Sequence, residues 1–218
     1  MYKHIIKRIF DIILSGMAIV ILSIPMLIVA IAIKVDDPGP VLFKQRRVGK
    51  KTNGELTYFM ILKYRSMKMS TPHDVPTHLL KDPEQYITRV GIFIRKTSLD
   101  ELPQIYQVFT GKLSLIGPRP ALWSQDDLIA EREKYGANDV KPGITGWAQI
   151  NGRDELEIPV KAKLDGEYTA ALNSGRFKGL AMDMKCFFGT FISIIKADGV
   201  VEGGTGELNK SDEKKRKN

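Results

Sequence analysis

From Ile12 to Ile33 the chain carries no charged side chain: "IILSGMAIVILSIPMLIVAIAI". A run of about 22 such residues is long enough to cross a hydrocarbon core of roughly 30 Å as a helix. Nothing else in the sequence constrains the fold as strongly, because backbone in lipid must satisfy its own hydrogen bonds. The run is too long for a signal peptide and lacks a small-residue cleavage site at its end. Three architectures fit: a spanning helix, a buried core helix, and a re-entrant helix–break–helix that leaves by the face it entered. Two features favour the re-entrant path. Pro25 cannot donate to the Ile21 carbonyl and predicts a bend, with Ser23 near enough to satisfy a freed backbone group. Basic residues in "YKHIIKR" precede the run and a basic body follows it, so both flanks are drawn to the cytoplasmic side. A long domain is a weak topology signal, which keeps the spanning helix as the alternative.

The rest of the chain divides into a body, residues 36–200, and a charged tail, 201–218, read as flexible; residues 1–35 form the anchor. Lys and Arg number 33 against 25 Asp and Glu, a formal charge of +8. Such a balance calls for an anionic partner: a phosphorylated substrate, an acidic membrane surface or nucleic acid. No helix–turn–helix, zinc finger or single-strand stacking platform supports nucleic acid. The one cysteine, Cys186, excludes an intrachain disulfide and fits a reducing compartment. His73 and His78 read as loop residues rather than zinc ligands.

Along the body, "VLFKQRRVG" and "LTYFMILKY" read as strands joined at Thr52-Asn53-Gly54. Asp82-Pro83 predicts a helix start running towards Ile94, with Gly91 as its weak point. A second helix is expected from about Leu102 to Thr110, stopping at Gly111. "LSLIGPRP" reads as strand then loop, "SQDDLIAEREKYG" as a capped, mostly solvated helix, and "KPGITGWAQINGR" as turns around a short strand. Leu180, Met184, Phe187, Phe188, Phe191 and Ile195 fall on one helical face, which suits either a core or a membrane interface. The fold class is therefore α+β and mainly helical, with a membrane anchor, interfacial amphipathic helices and short strands around a cytoplasmic site.

Several chemical motifs fail. "GKLS" resembles the end of a phosphate-binding loop, but Tyr106 stands where its upstream glycine is required. No GxGxxG follows a strand, and no Ser/His/Asp set is evident. What remains is basic side chains in or beside tight turns: Lys63 and Arg65 in "KYRSM", Arg95, Arg119 in "GPRP" and Arg153 in "NGR". Arginine held in a rigid loop suits a diphosphate. Among them lies one acidic pair, Asp100 and Glu101, in "RKTSLDELPQ". "SLDE" matches a capping box with Ser98 as cap and Glu101 reaching back. Pro103 argues instead for a helix that begins at Asp100, where a missing donor costs little. Either placement puts Asp100 at a positive helix end, compatible with capping and with a bound phosphate. One carboxylate could attack phosphorus while the other holds Mg²⁺.

Five ordered blocks, "GPVLFKQRRVG", "KYRSM", "RKTSLDELPQ", "GKLSLIGPRP" and "KPGITGWAQINGR", resemble the bacterial sugar transferases, the monotopic polyprenyl-phosphate phosphoglycosyl transferases. The resemblance covers about Tyr2 to Ala197, and the chain looks like the minimal catalytic form. "KYRSM" has Tyr64 where phenylalanine is frequent. The resemblance implies a helix broken at Pro25, a cytoplasmic-face location on the bacterial inner membrane, and amphipathic helices in the interface. It implies transfer of a sugar-1-phosphate from a UDP-sugar to undecaprenyl phosphate with release of UMP. It also implies a ping-pong course through an Asp100 phosphosugar, with Glu101 holding Mg²⁺ and Lys63, Arg65, Arg95, Arg119 and Arg153 as phosphate-binding candidates. Direct transfer with Asp100 as base, and a non-catalytic basic binding protein on a membrane tether, are the rival readings. A homo-oligomer is left open.

Overall fold

The computed structural model describes residues 2–71, 83–152 and 156–196. The charged tail, His73, His78, Asp82 and Arg153 lie outside the described residues.

The apolar run lies within one helix, α1 (Lys7–Asp36), 30 residues and so roughly 45 Å long. The helix continues through Pro25 rather than dividing there. The Ser23 hydroxyl donates to the Val20 carbonyl at 2.7 Å, not to the Ile21 carbonyl that proline leaves without a donor. Buried positions Lys7, Asp11 and Ser15, and then Met26, Val29 and Ile33, recur at the helical period, so α1 faces the body near its start and again towards its end, with no buried position between Ser15 and Met26. The opposite face leaves Ile13, Met17, Val20, Ile21, Ile24, Leu27, Ile28, Ile31 and Val35 at least half exposed.

Both ends of α1 are tied to the same body. At its start, the Lys7 ammonium and the Tyr2 hydroxyl donate to Asp183 at 2.8 and 2.5 Å, and Arg8 donates to the Val108 and Phe109 carbonyls. Asp11 accepts from the Ser114 hydroxyl and the Leu115 amide. Towards its end, the Met26 carbonyl accepts from Tyr64 and the Asp36 carboxylate from the Val90 amide.

An antiparallel hairpin follows, β1 (Leu42–Thr52) and β2 (Glu55–Tyr64), with Thr52 opposite Glu55. Its two-residue turn, Asn53-Gly54, has positive φ at both positions, the form that matches strand twist. The helix expected from Asp82 to Ile94 divides. Pro83–Tyr86 is one 3₁₀ turn, Ile87 bridges to Met67, and Thr88 caps α2 (Arg89–Lys96) by accepting from the Gly91 amide at 2.9 Å. Gly91 is a close approach rather than a weak point, since a Cβ there would lie 2.0 Å from the Ser66 carbonyl oxygen.

A 3₁₀ turn at Leu99–Glu101 leads into α3 (Gln104–Phe109), which ends before Gly111 as expected. Strands β3 (Ser114–Ile116) and β4 (Gly143–Thr145) pair in parallel, with α4 (Asp126–Glu133) between them in the chain. α4 is less solvated than its sequence suggests: Arg132 is buried and donates twice to the fully buried Asp165. The expected cap at Ser124 does not form; Gln125 precedes the helix and makes no side-chain cap bond.

The short α5 (Trp147–Ile150) is followed by α6 (Ile158–Asn173) and α7 (Arg176–Lys196). The expected apolar face of α7 splits. Leu180 and Phe187 pack on a core of Tyr2, Ile116, Val140, Tyr168, Leu172 and Cys186, while Met184, Phe188 and Phe191 are exposed. A second core joins Met26, Val29 and Ile33 of α1 to Tyr64 and Ile94, with Leu99 and Leu102 packed against it. That packing fixes the turn bearing the acidic pair to α1.

Candidate active site

Three local devices bring the site together. The first is the backbone before the pair. Ser98 has φ 55°, a left-handed conformation uncommon for a residue with a side chain, and makes no side-chain cap bond. The capping box is therefore absent: Ser98 does not cap, and the Glu101 carboxylate turns to two cations instead. Pro103 stands at the N-cap of α3, so its missing donor interrupts no helical bond. Asp100 and Glu101 sit in the 3₁₀ turn ahead of α3, and six residues of helix make a weak dipole. The expectation of a phosphate held by a helix end loses its basis.

The second device is Gln107. Its side-chain carbonyl accepts from the Leu62 amide at 2.9 Å and its amide donates to the Met60 carbonyl at 2.7 Å. The outer edge of β2 is thereby locked to α3, and Lys63 is held beside the pair. Gln107 is not legible in the sequence, because an isolated glutamine in an apolar helix carries no motif. The third device is the close meeting of two loops. Gly117 and Gly143 approach so tightly that a Cβ on Gly143 would lie 2.1 Å from the Gly117 nitrogen. This contact sets the course of Gly117-Pro118-Arg119-Pro120.

Glu101 is the hub. Its Oε1 accepts from Lys63 Nζ at 3.0 Å and from Arg119 Nη2 at 2.7 Å, and Oε2 from Arg119 Nη1 at 3.4 Å. Burial opposes its ionisation, but Arg119 and Lys63 outweigh that and hold the carboxyl well below the usual range. Asp100 differs. Burial pushes its carboxyl up to about 6, with the charge of Glu101 adding to the rise and Lys63, Arg95 and Arg119 opposing it. Its ion pair with Lys63 is long, 3.9 Å. Adjacent acids in one turn thus have opposite electrostatic settings, one a fixed anion and the other poised near neutrality.

The basic candidates separate. Lys63 and Arg119 bind Glu101 directly. Arg95 acts on Asp100 through charge while its Nε donates to the Ser66 hydroxyl at 2.8 Å. Arg65 serves elsewhere: its buried guanidinium binds the Asp37 carboxylate and carbonyl and the Pro40 carbonyl, clamping the turn after α1. The structure does not bring it to the pair.

The donor set fits Mg²⁺ in one manner. Glu101 is held as the anion, and among the described residues its Oε2 carries only the long 3.4 Å contact. No group of three His, Cys, Asp or Glu side chains gathers among the described residues. A magnesium ion here would take its other ligands from substrate phosphate and water, its common habit.

Comparison with known proteins gives a consistent result. The sequence model for bacterial sugar transferases matches residues 2–197. The UDP-glucose:undecaprenyl-phosphate glucose-1-phosphate transferase of Escherichia coli K12 is 38% identical over 76% of this chain, which covers 36% of that protein. The undecaprenyl-phosphate glucose phosphotransferase of Komagataeibacter xylinus is 40% identical over 76% of the chain, covering 32% of its own length. The exopolysaccharide production protein PSS of Rhizobium leguminosarum is 37% identical over 87% of this chain and 94% of that protein. The chain thus spans about a third of two of these relatives and nearly all of the third. The near-complete family match and these identities together place it in the bacterial sugar transferase family.

Proposed function

We propose that this protein moves a sugar-1-phosphate from a UDP-sugar to undecaprenyl phosphate, releasing UMP, at the cytoplasmic face of the bacterial inner membrane. The observation that carries the reading is the divided acidic pair, supported by the activities named for the E. coli and Komagataeibacter relatives. In the first half-reaction an Asp100 carboxylate oxygen attacks the sugar-bearing β-phosphorus. The bond from that phosphorus to the bridging oxygen breaks, and UMP leaves with the oxygen. In the second, an oxygen of the lipid phosphate attacks the same phosphorus and displaces the Asp100 carboxylate. At pH 7 a carboxyl with a value of about 6 is mostly ionised and able to attack. Arg119 and Lys63 neutralise Glu101 and offer further N–H donors to the phosphate oxygens. Arg95 adds positive charge beside Asp100. Mg²⁺, held by Glu101 and substrate oxygens when bound, would neutralise the charge that builds on the phosphate of the departing UMP.

A value near 6 also suits a general base, so direct attack of the lipid phosphate with Asp100 as proton acceptor is the second reading.

The proposed topology is monotopic, with both ends of α1 on the cytoplasmic side. Its support is that one body holds both ends, through charged side chains that would otherwise have to lie on opposite sides of a bilayer. The exposed stripe of α1 and the exposed Phe188 and Phe191 of α7 supply the lipid-facing surface. Purified protein in nanodiscs, given undecaprenyl phosphate, Mg²⁺ and a panel of UDP-sugars, should transfer labelled sugar phosphate to the lipid with equal UMP release. Asp100→Asn should abolish both. Absence of lipid-linked label with every sugar would overturn the proposal.

A further inference from the structure

Between the last turns of α1 and the first turn of α2 runs a groove of about 620 Å³, a volume in the range of ligand sites. Ile28, Ile31, Ala32 and Val35, spaced at i, i+3, i+4 and i+7, form one wall, and Val90 lines the other. Ile28 and Val35 stand about 10 Å apart along the helix, so the groove is elongated. Its walls are almost wholly apolar, and two charged side chains border it where α1 ends. The Asp36 carboxylate is engaged, accepting from the Val90 amide at 2.8 Å. The Arg89 guanidinium is exposed and makes no hydrogen bond or ion pair among the described residues. Apolar walls call for hydrocarbon, and a cation at their mouth calls for an anion. An amphiphile with an anionic head supplies both; a neutral lipid would leave Arg89 unanswered, and a soluble anion would leave the walls bare.

We propose that this groove holds one anionic phospholipid, with an acyl chain along Ile28 to Val35 and the phosphate on Arg89. The place suits a bilayer in which the exposed stripe of α1 faces hydrocarbon. Asp36 and Arg89 lie where that stripe gives way to charge, the level of the headgroups, and basic side chains beside membrane helices bind anionic headgroups there. The bound lipid is not the acceptor. Arg95, whose charge acts on Asp100, leaves α2 roughly 140° around the helix from Val90, so groove and acidic pair flank α2 on different sides. The lipid instead braces α1 against α2. Val90 packs on the core that also carries Leu99 and Leu102, the residues on either side of the acidic pair.

This inference rests on α1 facing lipid and not on the transfer chemistry, and its test is a binding measurement. Native mass spectrometry of the full chain in neutral detergent, titrated with phosphatidylglycerol or phosphatidylcholine, reads it directly. The wild type should retain one phosphatidylglycerol per chain, about tenfold more tightly than phosphatidylcholine. Arg89→Gln should lose that preference. Ala32→Trp fills the groove and should lose the bound lipid; Arg89→Gln changes an exposed side chain and keeps the test open if the tryptophan variant fails to fold. Arg176→Gln, which removes an exposed charge at the start of α7, should bind within about threefold of wild type. Equal retention of the two phospholipids by the wild type, or equal losses in Arg89→Gln and Arg176→Gln, overturns the site. Displacement of the phosphatidylglycerol by equimolar undecaprenyl phosphate also overturns it, by giving the groove to the acceptor. Each of these results leaves sugar-phosphate transfer standing, whereas a wild type that binds the phospholipid and transfers no sugar phosphate strikes only at the proposed function.

Discussion

Replacing Asp100 with asparagine should destroy activity and make the protein more stable. The carboxyl is 13% exposed in the fold, and burial lifts it from an ordinary 3.8 to about 6. Between those values the native state binds more protons than the unfolded chain. Stability contributed by this group is therefore greatest below pH 3.8, falls as pH rises through the window, and reaches its full deficit above pH 6. The gap corresponds to about 3 kcal/mol at roughly 1.4 kcal/mol per decade. The opposing attractions of Lys63, Arg95 and Arg119 are already contained in it. Asparagine keeps the shape and cannot ionise. At pH 8 Asp100→Asn should melt about 6–12 °C higher than wild type, given 2–4 °C per kcal/mol for a chain of this size. At pH 4 the difference should nearly vanish. Thermal unfolding in nanodiscs at both pH values measures this. A variant no more stable than wild type at pH 8 would refute the claim that the fold holds Asp100 ionised against its environment. The same value predicts that kcat/KM falls about tenfold per pH unit below pH 6.

Other substitutions divide the basic residues. Arg119→Ala leaves the buried Glu101 with Lys63 as its cation and should lower turnover at least a hundredfold, by analogy with loss of an oriented donor. Arg65→Ala should cost about 3 kcal/mol of stability by freeing Asp37, yet leave turnover per folded molecule near wild type; thermal melts and rates on matched folded fractions separate the two. For topology, Lys3→Cys and Lys50→Cys should both react with an impermeant maleimide only from the cytoplasmic side. Cys186 should stay silent, being fully buried with its thiol pushed up to about 12 by that burial. Labelling of the two positions from opposite sides would mean that α1 spans.

Much of the fold was legible where local chemistry decides. The apolar run of α1, the Asn53-Gly54 turn and the stop of α3 before Gly111 follow from hydropathy and backbone freedom. Expectations failed where a distant partner decides. Ser98 looked like a cap, but Lys63 and Arg119, each distant in sequence, draw Glu101 away from it. Gly91 looked like a weak point, but its role depends on the Ser66 carbonyl. Arg65 and Arg119 sit in similar-looking turns and differ only in what folds beside them: Asp37 for one, Glu101 for the other. Asp100 and Glu101 were identifiable as an acidic pair. Their opposite settings were not, because those depend on how two cations from β2 and the Gly117–Pro120 loop are shared between them.

The covalent course is the central claim, and intact-mass spectrometry tests it most directly. Protein mixed with a UDP-sugar and Mg²⁺, without lipid acceptor, should gain the mass of one phosphosugar and release one equivalent of UMP. The adduct should be absent in Asp100→Asn and should disappear when undecaprenyl phosphate is added. UMP released only when the lipid is present, with no mass gain beforehand, would contradict the account and leave Asp100 as a base.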